Sequence, residues 1–598
     1  MPPVPSDQPE PAGTRTPAVN PISGVFTMRR AARRWPLGLK AAGSTAIIVT
    51  AGWAAGNLGA GLIATIGTFT SAYGNGRPYL NRGLQLAVIA VTLALAVSLG
   101  AWAAPVQWAG VLVVSVVAVA AVWLCDALTV GPPGAYMFVV ACAAGIGVSA
   151  SHLTPVRIGT LVLAGGAVTW LVQMAGALRG FRRPERAAVA ASGTAVADYI
   201  EAIGTPAAGA ARHHAAATLH ETWTVLVNYQ PIAPLPDSEL QRLRATNHGL
   251  HVIFADAMTA GANGDPQQPG AAALARGLGA AQLPPETVDT RDVDRIPLGR
   301  EPAAQLLRQA LTPGSQTRHV MARIAIAAPI AGAFAAMIGD GRAYWAMAAA
   351  VVVLHQGVDW LHTLQRGAER LLGTWIGLGL AALILLAHPQ GLWLVIILAM
   401  LQFTIQLLVV RNYALAMVFI TAMGLTIASA SRRADVGALL VSRGVDTAIG
   451  CGVAIAVYLA TARLQEATRL IDAIRHTLDA VTVTCANLAR DDAATLSART
   501  ARRDLQRATI AMVDAYDAAA GGSVGQRRSA EPIWATVAAT EHLAYRVIAA
   551  CWAMDRYADE QNPAGIDVSD FEAEAAALRA AIPALTRPAV RRRQRNPR

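Results

Sequence analysis

The chain is short of charged residues, and of lysine above all. Of its 598 residues only 15% are Asp, Glu, Lys or Arg, whereas 54% are hydrophobic and the mean hydropathy is +0.40. A soluble globular domain typically carries about 25% charged residues. Lys40 is the only lysine, so the net charge of +11 comes from arginine. This composition excludes an ordinary soluble protein and predicts an integral membrane protein.

Several functional motifs are also missing. The sequence has no GxxxxGK[ST] phosphate-binding loop, which argues against a pump that carries its own ATP-driven motor. Its five cysteines show no CxxC spacing, so we interpret them as small core residues. His248 and His251 lack Cys, Asp or Glu companions at metal-ligand spacing. We therefore predict no metal, no cofactor and no enzymatic activity.

The arginines occur in clusters that border apolar segments or lie at a terminus. Such flanks are typical of the positive-inside rule and of contact with anionic lipid, not of nucleic-acid binding. Their placement predicts that both termini lie in the cytoplasm. The expected partners are the lipid bilayer and a small organic anion, no nucleic acid is expected, and a homo-oligomer is left open.

Apolar runs alternate with polar stretches, and each run is long enough for a tilted membrane helix. We predict an all-α, polytopic membrane protein with two parallel-repeat bundles of about six transmembrane helices and helical cytosolic domains. The predicted spans are 41–56, 57–73, 84–103, 107–125, 134–151 and 156–177, then 320–338, 343–357, 370–387, 391–409, 412–430 and 438–461. The predicted domains are a disordered basic cytosolic tail (1–35), a first bundle (36–178), a mainly helical cytosolic insert with a flexible linker (179–318), a second bundle (319–461) and a cytosolic helical C-terminal domain with a basic tail (462–598).

Short matches between the two halves indicate an internal repeat. The segment 80–83, Leu-Asn-Arg-Gly, matches 364–367, Leu-Gln-Arg-Gly, at an offset of 284 residues. Arg157 and Thr160 match Arg443 and Thr447 at an offset of 286 to 287 residues. An even number of spans and a cytosolic insert separate the halves, so they share one orientation, and we expect the site where they meet.

Ionisable side chains inside a bilayer cost roughly 2.5 to 3.5 kcal/mol each, so they usually face a bundle interior or mark a pathway. We predict substrate or pathway residues in both halves on this ground, together with an aromatic pair at a helix start. The candidates are Arg82, Arg157, Tyr344, Trp345, His355, Asp359, Arg366, Arg370, Arg443 and Asp446.

The arginine pair in the second half has two interpretations. Arg366 and Arg370 are four residues apart and share a helix face. Beside the small residues of Gly373-Thr374 and Gly377, which permit close helix packing, they would hold a carboxylate in a bidentate manner. They would equally serve as cytoplasmic flank charges paired with acidic neighbours.

Each of the following candidates also has two interpretations. Tyr344 and Trp345 either pack a substrate ring or anchor a helix at the membrane interface. His355 either relays protons or is a hydrogen-bonded buried histidine. Arg443 and Asp446 either take part in transport or form a structural ion pair.

The motifs of the second half resemble those of the fusaric acid resistance (FUSC-like) family, which includes bacterial aromatic acid exporters and, distantly, plant malate transporters. The motifs are Gly341-Arg-Ala-Tyr-Trp345, then Arg366, Arg370, Gly373-Thr374 and Gly377, then Arg411-Asn-Tyr413 and Thr421, and finally Arg443-x-x-Asp446-Thr447-x-x-Gly450. The resemblance extends over about 320–460 and is weaker over 40–178, where Gly61-Leu62 would align with the aromatic pair. It implies an inner-membrane exporter of aromatic carboxylates or related anions.

Three functions follow as hypotheses. The first is export of organic, chiefly aromatic, anions coupled to the proton motive force. The second is a passive organic-anion channel. The third is a membrane scaffold whose cytosolic domains bind partners without any transport.

Overall fold

The computed structural model describes residues 28, 34–148, 153–231, 238–282, 302–313, 315–338, 343–356, 360–430, 436–462, 466–490, 495–521, 524–557 and 567–585. Regular secondary structure in these ranges is helical throughout, without a strand. The prediction of an all-α fold is confirmed. Of the candidate site residues, Asp359 lies outside the described ranges.

The helices follow one another along the chain in four groups. The first group is α1 (Trp35–Ala54), α2 (Leu58–Ala64), α3 (Tyr79–Ala103), α4 (Gln107–Ala127), α5 (Tyr136–Val148) and α6 (Pro155–Met174). The second group is α7 (Arg183–Ala202), α8 (Ala208–Trp223), α9 (Glu239–Asn263) and α10 (Ala271–Gly279). The third group is α11 (Ala303–Gln309), α12 (Gln316–Met337), α13 (Tyr344–Gln356), α14 (Trp360–Leu386), α15 (Leu392–Leu408), α16 (Tyr413–Ala430) and α17 (Val436–Ala462). The fourth group is α18 (Glu466–Leu488), α19 (Leu496–Ala520), α20 (Val524–Ala530), α21 (Trp534–Tyr557) and α22 (Ser569–Leu585).

These groups make two compact units that do not follow the order of the chain. Residues 18–181 and 301–463 form one unit, called the membrane unit here. The described residues of 182–300 and 464–598 form the other, the polar unit. The two apolar stretches therefore fold together, and so do the two polar stretches.

The membrane unit contains the apolar helices. Seven described helices are long and apolar enough to cross a bilayer, and five further apolar helices are shorter. Each of them falls on one of the predicted spans, six in the first bundle (α1–α6) and six in the second (α12–α17). With these spans the chain is a polytopic membrane protein, as predicted.

Helix packing in the membrane unit repeats from one bundle to the other. In the first bundle α3 packs against α5 and α6, and in the second α14 packs in the same way against α16 and α17. The bundles also exchange equivalent contacts, because α1 packs on α15 while α12 packs on α4. The first helix of each bundle thus meets the fourth helix of the other, which is the reciprocal pattern expected of a pseudo-twofold relation between repeats.

Glycines allow the third helix of each bundle to approach its neighbour closely. A Cβ at Gly100 of α3 would collide with the carbonyl oxygen of Cys142 in α5. A Cβ at Gly377 of α14 would lie 2.7 Å from the carbonyl oxygen of Val418 in α16. Small residues let backbones meet where hydrophobic driving force between helices is weak. The spacing of Gly373 and Gly377 in the sequence therefore coincides with a helix contact.

The polar unit is held by an apolar core that both of its sequence segments share. Leu219, Leu250 and Phe254 of the insert pack in one cluster with Leu478 and Leu543 of the C-terminal segment. Burial of such side chains contributes about 1.5 to 3 kcal/mol each. The insert and the C-terminal segment are thus parts of one helical domain.

Candidate functional site

Short apolar helices from both bundles meet at the candidate site. The second and fifth apolar helices of each bundle are among the five shorter ones; they include α5, α13 and α16, and the remaining short helix is α15. At 13 residues, α5 and α13 are each about 20 Å long, against the roughly 30 Å of a bilayer core. They also pack against each other across the two bundles. Short apolar segments in corresponding positions of two repeats are a pointer to a binding site.

Arg370 is the most buried of the predicted arginines. Its side chain is completely buried. Its Nη1 donates to the Tyr136 hydroxyl at 2.6 Å and to the Tyr413 hydroxyl at 3.4 Å, and it contacts Met417 Sδ at 3.2 Å. The first of these partners belongs to α5, so this guanidinium joins the two bundles. Among the described residues no hydrogen-bond partner is present for its Nε and Nη2.

Arg443 lies in the same neighbourhood and is also buried. Its guanidinium carbon stands 3.5 Å from the centroid of the Trp345 ring, in a cation–π contact. The charges of Arg370 and Asp446 both act on it, one repulsive and one attractive. Asp446 is itself buried and lies three residues along the same helix. Arg443 therefore has a nearby carboxylate, whereas the hydrogen bonds of Arg370 go to hydroxyls and a thioether.

Arg366 forms an ion pair with an acidic neighbour, one of the two arrangements that its sequence position allowed. Its Nη1 binds Glu369 Oε2 at 3.0 Å, and its guanidinium carbon lies 4.7 Å from the ring centroid of Tyr413. Gln365 donates to the other carboxylate oxygen of Glu369 at 2.8 Å. The charge of Arg366 is thereby balanced. Its contact with Tyr413 still places it at the edge of the cluster formed by Arg370.

The two predicted residues of the first bundle occupy different environments. Arg82 is buried and donates from Nη2 to Gln173 Oε1 at 2.7 Å. Arg157 is exposed near the start of α6. At the repeat offset of 284 residues the position of Arg370 corresponds to Leu86, which is fully buried. Arg370 and Arg443 of the second bundle are both buried, whereas the matched positions of the first bundle hold a leucine and an exposed arginine.

Tyr344 and His355 stand at opposite ends of α13. The Tyr344 ring lies 5.2 Å from the Trp345 ring, and its hydroxyl faces Gly147 of α5. A Cβ at Gly134 would lie 2.6 Å from Nε2 of His355, and the charge of Asp126 acts on the same imidazole. The electrostatic interaction of Asp126 with His355 also joins the bundles, because Asp126 belongs to α4 and His355 belongs to α13.

Gly134 offers a test of the packing around His355. Its φ of +66° is in the left-handed region, where an L residue is strained by roughly 1 to 2 kcal/mol. Gly76 has a similar φ of +78° but no atom within 4 Å of an added Cβ. We expect Gly134→Ala to lower the thermal midpoint of the purified protein more than Gly76→Ala does, since only the former also displaces His355. Equal shifts would show that the imidazole yields freely.

Sequence reasoning missed three members of this site. Tyr136 and Tyr413 each begin an apolar helix, where tyrosine usually reads as an interfacial anchor. Asp126 lies at the end of α4 and is an isolated acid beside an apolar run, a pattern that indicates a functional residue. None of the three is close to its partner in sequence; Arg370 and Tyr136 are 234 residues apart.

Comparison with known proteins places this site in a family context. Residues 330–457 match the family model described as fusaric acid resistance protein-like. A Bacillus subtilis (strain 168) protein named uncharacterized membrane protein YvaC is 25% identical over 537 residues, which cover 84% of this chain and 83% of that relative. No solved structure matches the chain significantly. The predicted resemblance is confirmed for the second bundle, and over its length the chain is similar to a membrane protein.

Proposed function

We propose that the protein carries small organic anions, aromatic acids above all, across the membrane, with Arg370 as the group that binds the anion. The observation that supports this is a guanidinium buried among apolar helices whose hydrogen bonds go to hydroxyls. A buried charge without a carboxylate beside it is costly. An incoming anion would lower that cost, because it supplies the missing charge and accepts hydrogen bonds from Nε and Nη2.

The aromatic side chains around Arg370 favour an aromatic cargo. Tyr136 and Tyr413 hold the guanidinium by their hydroxyls, and Trp345 lies under Arg443. A planar carboxylate would meet donors at its charged end and ring edges along its body. The ion pair of Arg366 with Glu369, and Arg443 with the charge of Asp446 acting on it, would then shape the site more than they attract the charge.

We infer export from the cytoplasm across a plasma membrane, with both termini cytoplasmic and with coupling to the proton motive force. The coupling would use Asp126 and His355, a carboxylate and an imidazole whose charges interact between α4 and α13. Histidine changes protonation near neutral pH, and paired ionisable groups in apolar helices commonly form proton relays. A proton passing through this pair would alter the contact between the bundles.

The proposal is tested with purified protein in liposomes. We expect uptake of radiolabelled benzoate into the vesicles to exceed that of empty vesicles and to increase when a proton gradient is imposed. Benzylammonium, which has a similar ring and the opposite charge, should not be carried. Equal permeation of both compounds, or benzoate uptake no faster than in empty vesicles, would remove anion transport as the function.

Asp126→Asn separates coupled transport from a passive channel. We expect the variant to keep downhill benzoate flux while losing most of the acceleration produced by the proton gradient, because the amide does not take up a proton. Gln107→Asn, a change of similar polarity at the other end of α4, serves as the control. Full acceleration in Asp126→Asn would exclude this carboxylate as the coupling group.

The two other hypotheses predict different experimental results. A passive anion channel would give benzoate current down its gradient that imposed proton gradients do not change. A scaffold would give no flux at all, and its polar unit would instead retain partners in pull-down experiments. The absence of enzymatic activity stays a prediction from the sequence.

A further inference from the structure

The polar unit contains a cleft that is distinct from the membrane site. It lies between the end of α8, α9, α19 and α21, and part of it is open to solvent. Positive and aromatic side chains line it, among them Arg244, Arg502, Arg503, Trp223 and Trp552. None of the described lining residues is acidic.

The guanidinium groups of the cleft are held firmly by their surroundings. Arg244 donates from Nε to the carbonyl oxygen of Leu226 at 2.9 Å and from Nη2 to that of Pro231 at 2.9 Å. Arg502 lies 3.9 Å from the ring centroid of Trp552. Arg503 binds Asp504, which is its sequence neighbour, at 2.7 Å. The cleft therefore has a positive wall whose geometry is set before any ligand arrives, which favours affinity.

One donor in this wall lacks its acceptor. The indole nitrogen of Trp223 is buried and finds no hydrogen-bond partner among the described residues. A buried N–H without an acceptor costs about 1 to 3 kcal/mol, and buried tryptophan nitrogens usually have a partner. Trp223 ends α8 where the chain enters a π-helical turn, Thr224–Asn228. Turns of this kind are frequent at functional sites.

The histidines of the cleft report the same positive environment. Burial, and then the charges of Arg502 and two neighbouring histidines, lower the pKa of His251 to about 3. Burial, followed by Arg507 and Arg503, lowers the pKa of His220 to about 4. Both imidazoles are neutral at pH 7, so the positive charge of the wall comes from its arginines.

We propose that this cleft binds a small organic anion, whose oxygen atoms accept from Trp223 Nε1 and Arg503 while its apolar part packs on Leu226 and Val227. The guanidinium groups of Arg244 and Arg502 and the N–H of Trp223 supply the affinity for negative charge, while Arg503 shares its charge with Asp504. The apolar wall, which includes both aliphatic side chains, excludes a bare hydrated ion as the best ligand. This second anion site does not depend on transport by the membrane unit.

The test is isothermal titration of benzoate into the full-length protein in detergent at pH 7, in an Arg370→Gln background that removes the proposed membrane site. Trp223→Phe keeps the ring and deletes the N–H, so we expect roughly tenfold weaker binding. Arg503→Gln should weaken it by at least as much. Benzylammonium should give no heat of binding.

Matched variants outside the cleft control for general damage. Trp534 packs on Tyr516 with ring centroids 4.7 Å apart, and Arg546 binds Glu574 at 2.8 Å. Trp534→Phe and Arg546→Gln should leave benzoate affinity within about twofold of the background. If Arg503→Gln does not fold, Trp223→Phe alone decides. No benzoate binding in the Arg370→Gln background, or equal losses in Trp223→Phe and Trp534→Phe, would overturn the proposal.

Discussion

Replacement of Arg370 by glutamine is expected to lower benzoate flux in liposomes by about ten- to a hundredfold. Each charge-assisted hydrogen bond to an anion is worth roughly 1.5 to 3 kcal/mol, and a neutral amide does not replace them. The fold should survive, because the substitution removes a buried charge instead of leaving one without a partner. Flux and thermal midpoint measured on the same preparation separate the two effects.

The control for this variant is Arg157→Gln. Arg157 was an equal candidate in the sequence, but it is exposed and Arg370 is completely buried. We expect Arg157→Gln to retain flux close to that of the unmodified protein. Arg370→Lys should retain a small part, since a lysine keeps the charge but not the planar fork. Normal flux in Arg370→Gln would end the assignment of this residue to the anion site.

Replacement of Gly377 by leucine is expected to give the largest loss of stability. A Cβ there would lie 2.7 Å from the carbonyl oxygen of Val418 and 2.8 Å from Cβ of Thr421. The closely packed α14 and α16 would have to separate, and overpacking of this kind costs about 1 to 3 kcal/mol or more. The separation would also move Arg370 away from Tyr413. We therefore expect a lower thermal midpoint and a parallel loss of flux.

Gly379 provides the comparison in the same helix. No atom lies within 4 Å of a Cβ built at this position. Gly379→Leu should leave the thermal midpoint unchanged or slightly higher, because leucine is a better helix former than glycine. Equal destabilisation by both substitutions would show that the contact with α16 is not the cause of the loss.

Local features of the sequence predicted the helices well. The runs at 107–125 and 391–409 became α4 and α15 almost residue for residue, because apolar length alone makes a membrane helix. The Arg366–Glu369 pair was also within reach, since residues three apart on a helix are neighbours. The order of helix packing was not within reach, because no local feature indicates that α1 packs on α15.

The candidate site shows the same division. Arg370 and Arg443 stood out as charges in apolar helices, a property that each position has by itself. Their partners Tyr136 and Tyr413 begin apolar helices, and tyrosine at such a place has several ordinary explanations. The electrostatic interaction of Asp126 with His355 likewise depends on how α4 meets α13. Local sequence features likewise do not show that the polar unit is assembled from segments on either side of the second bundle.

By itself, the sequence determined that this protein lies in a membrane, is helical and is built from two related bundles. These properties follow from the transfer of apolar side chains and paired backbone groups into lipid, which acts on each segment separately. Tertiary structure decided which buried charges have a carboxylate beside them and which are held by hydroxyls and a thioether. It also decided that two distant polar segments enclose a positive cleft. Such outcomes depend on contacts between residues hundreds of positions apart, and close packing of the whole chain selects those contacts.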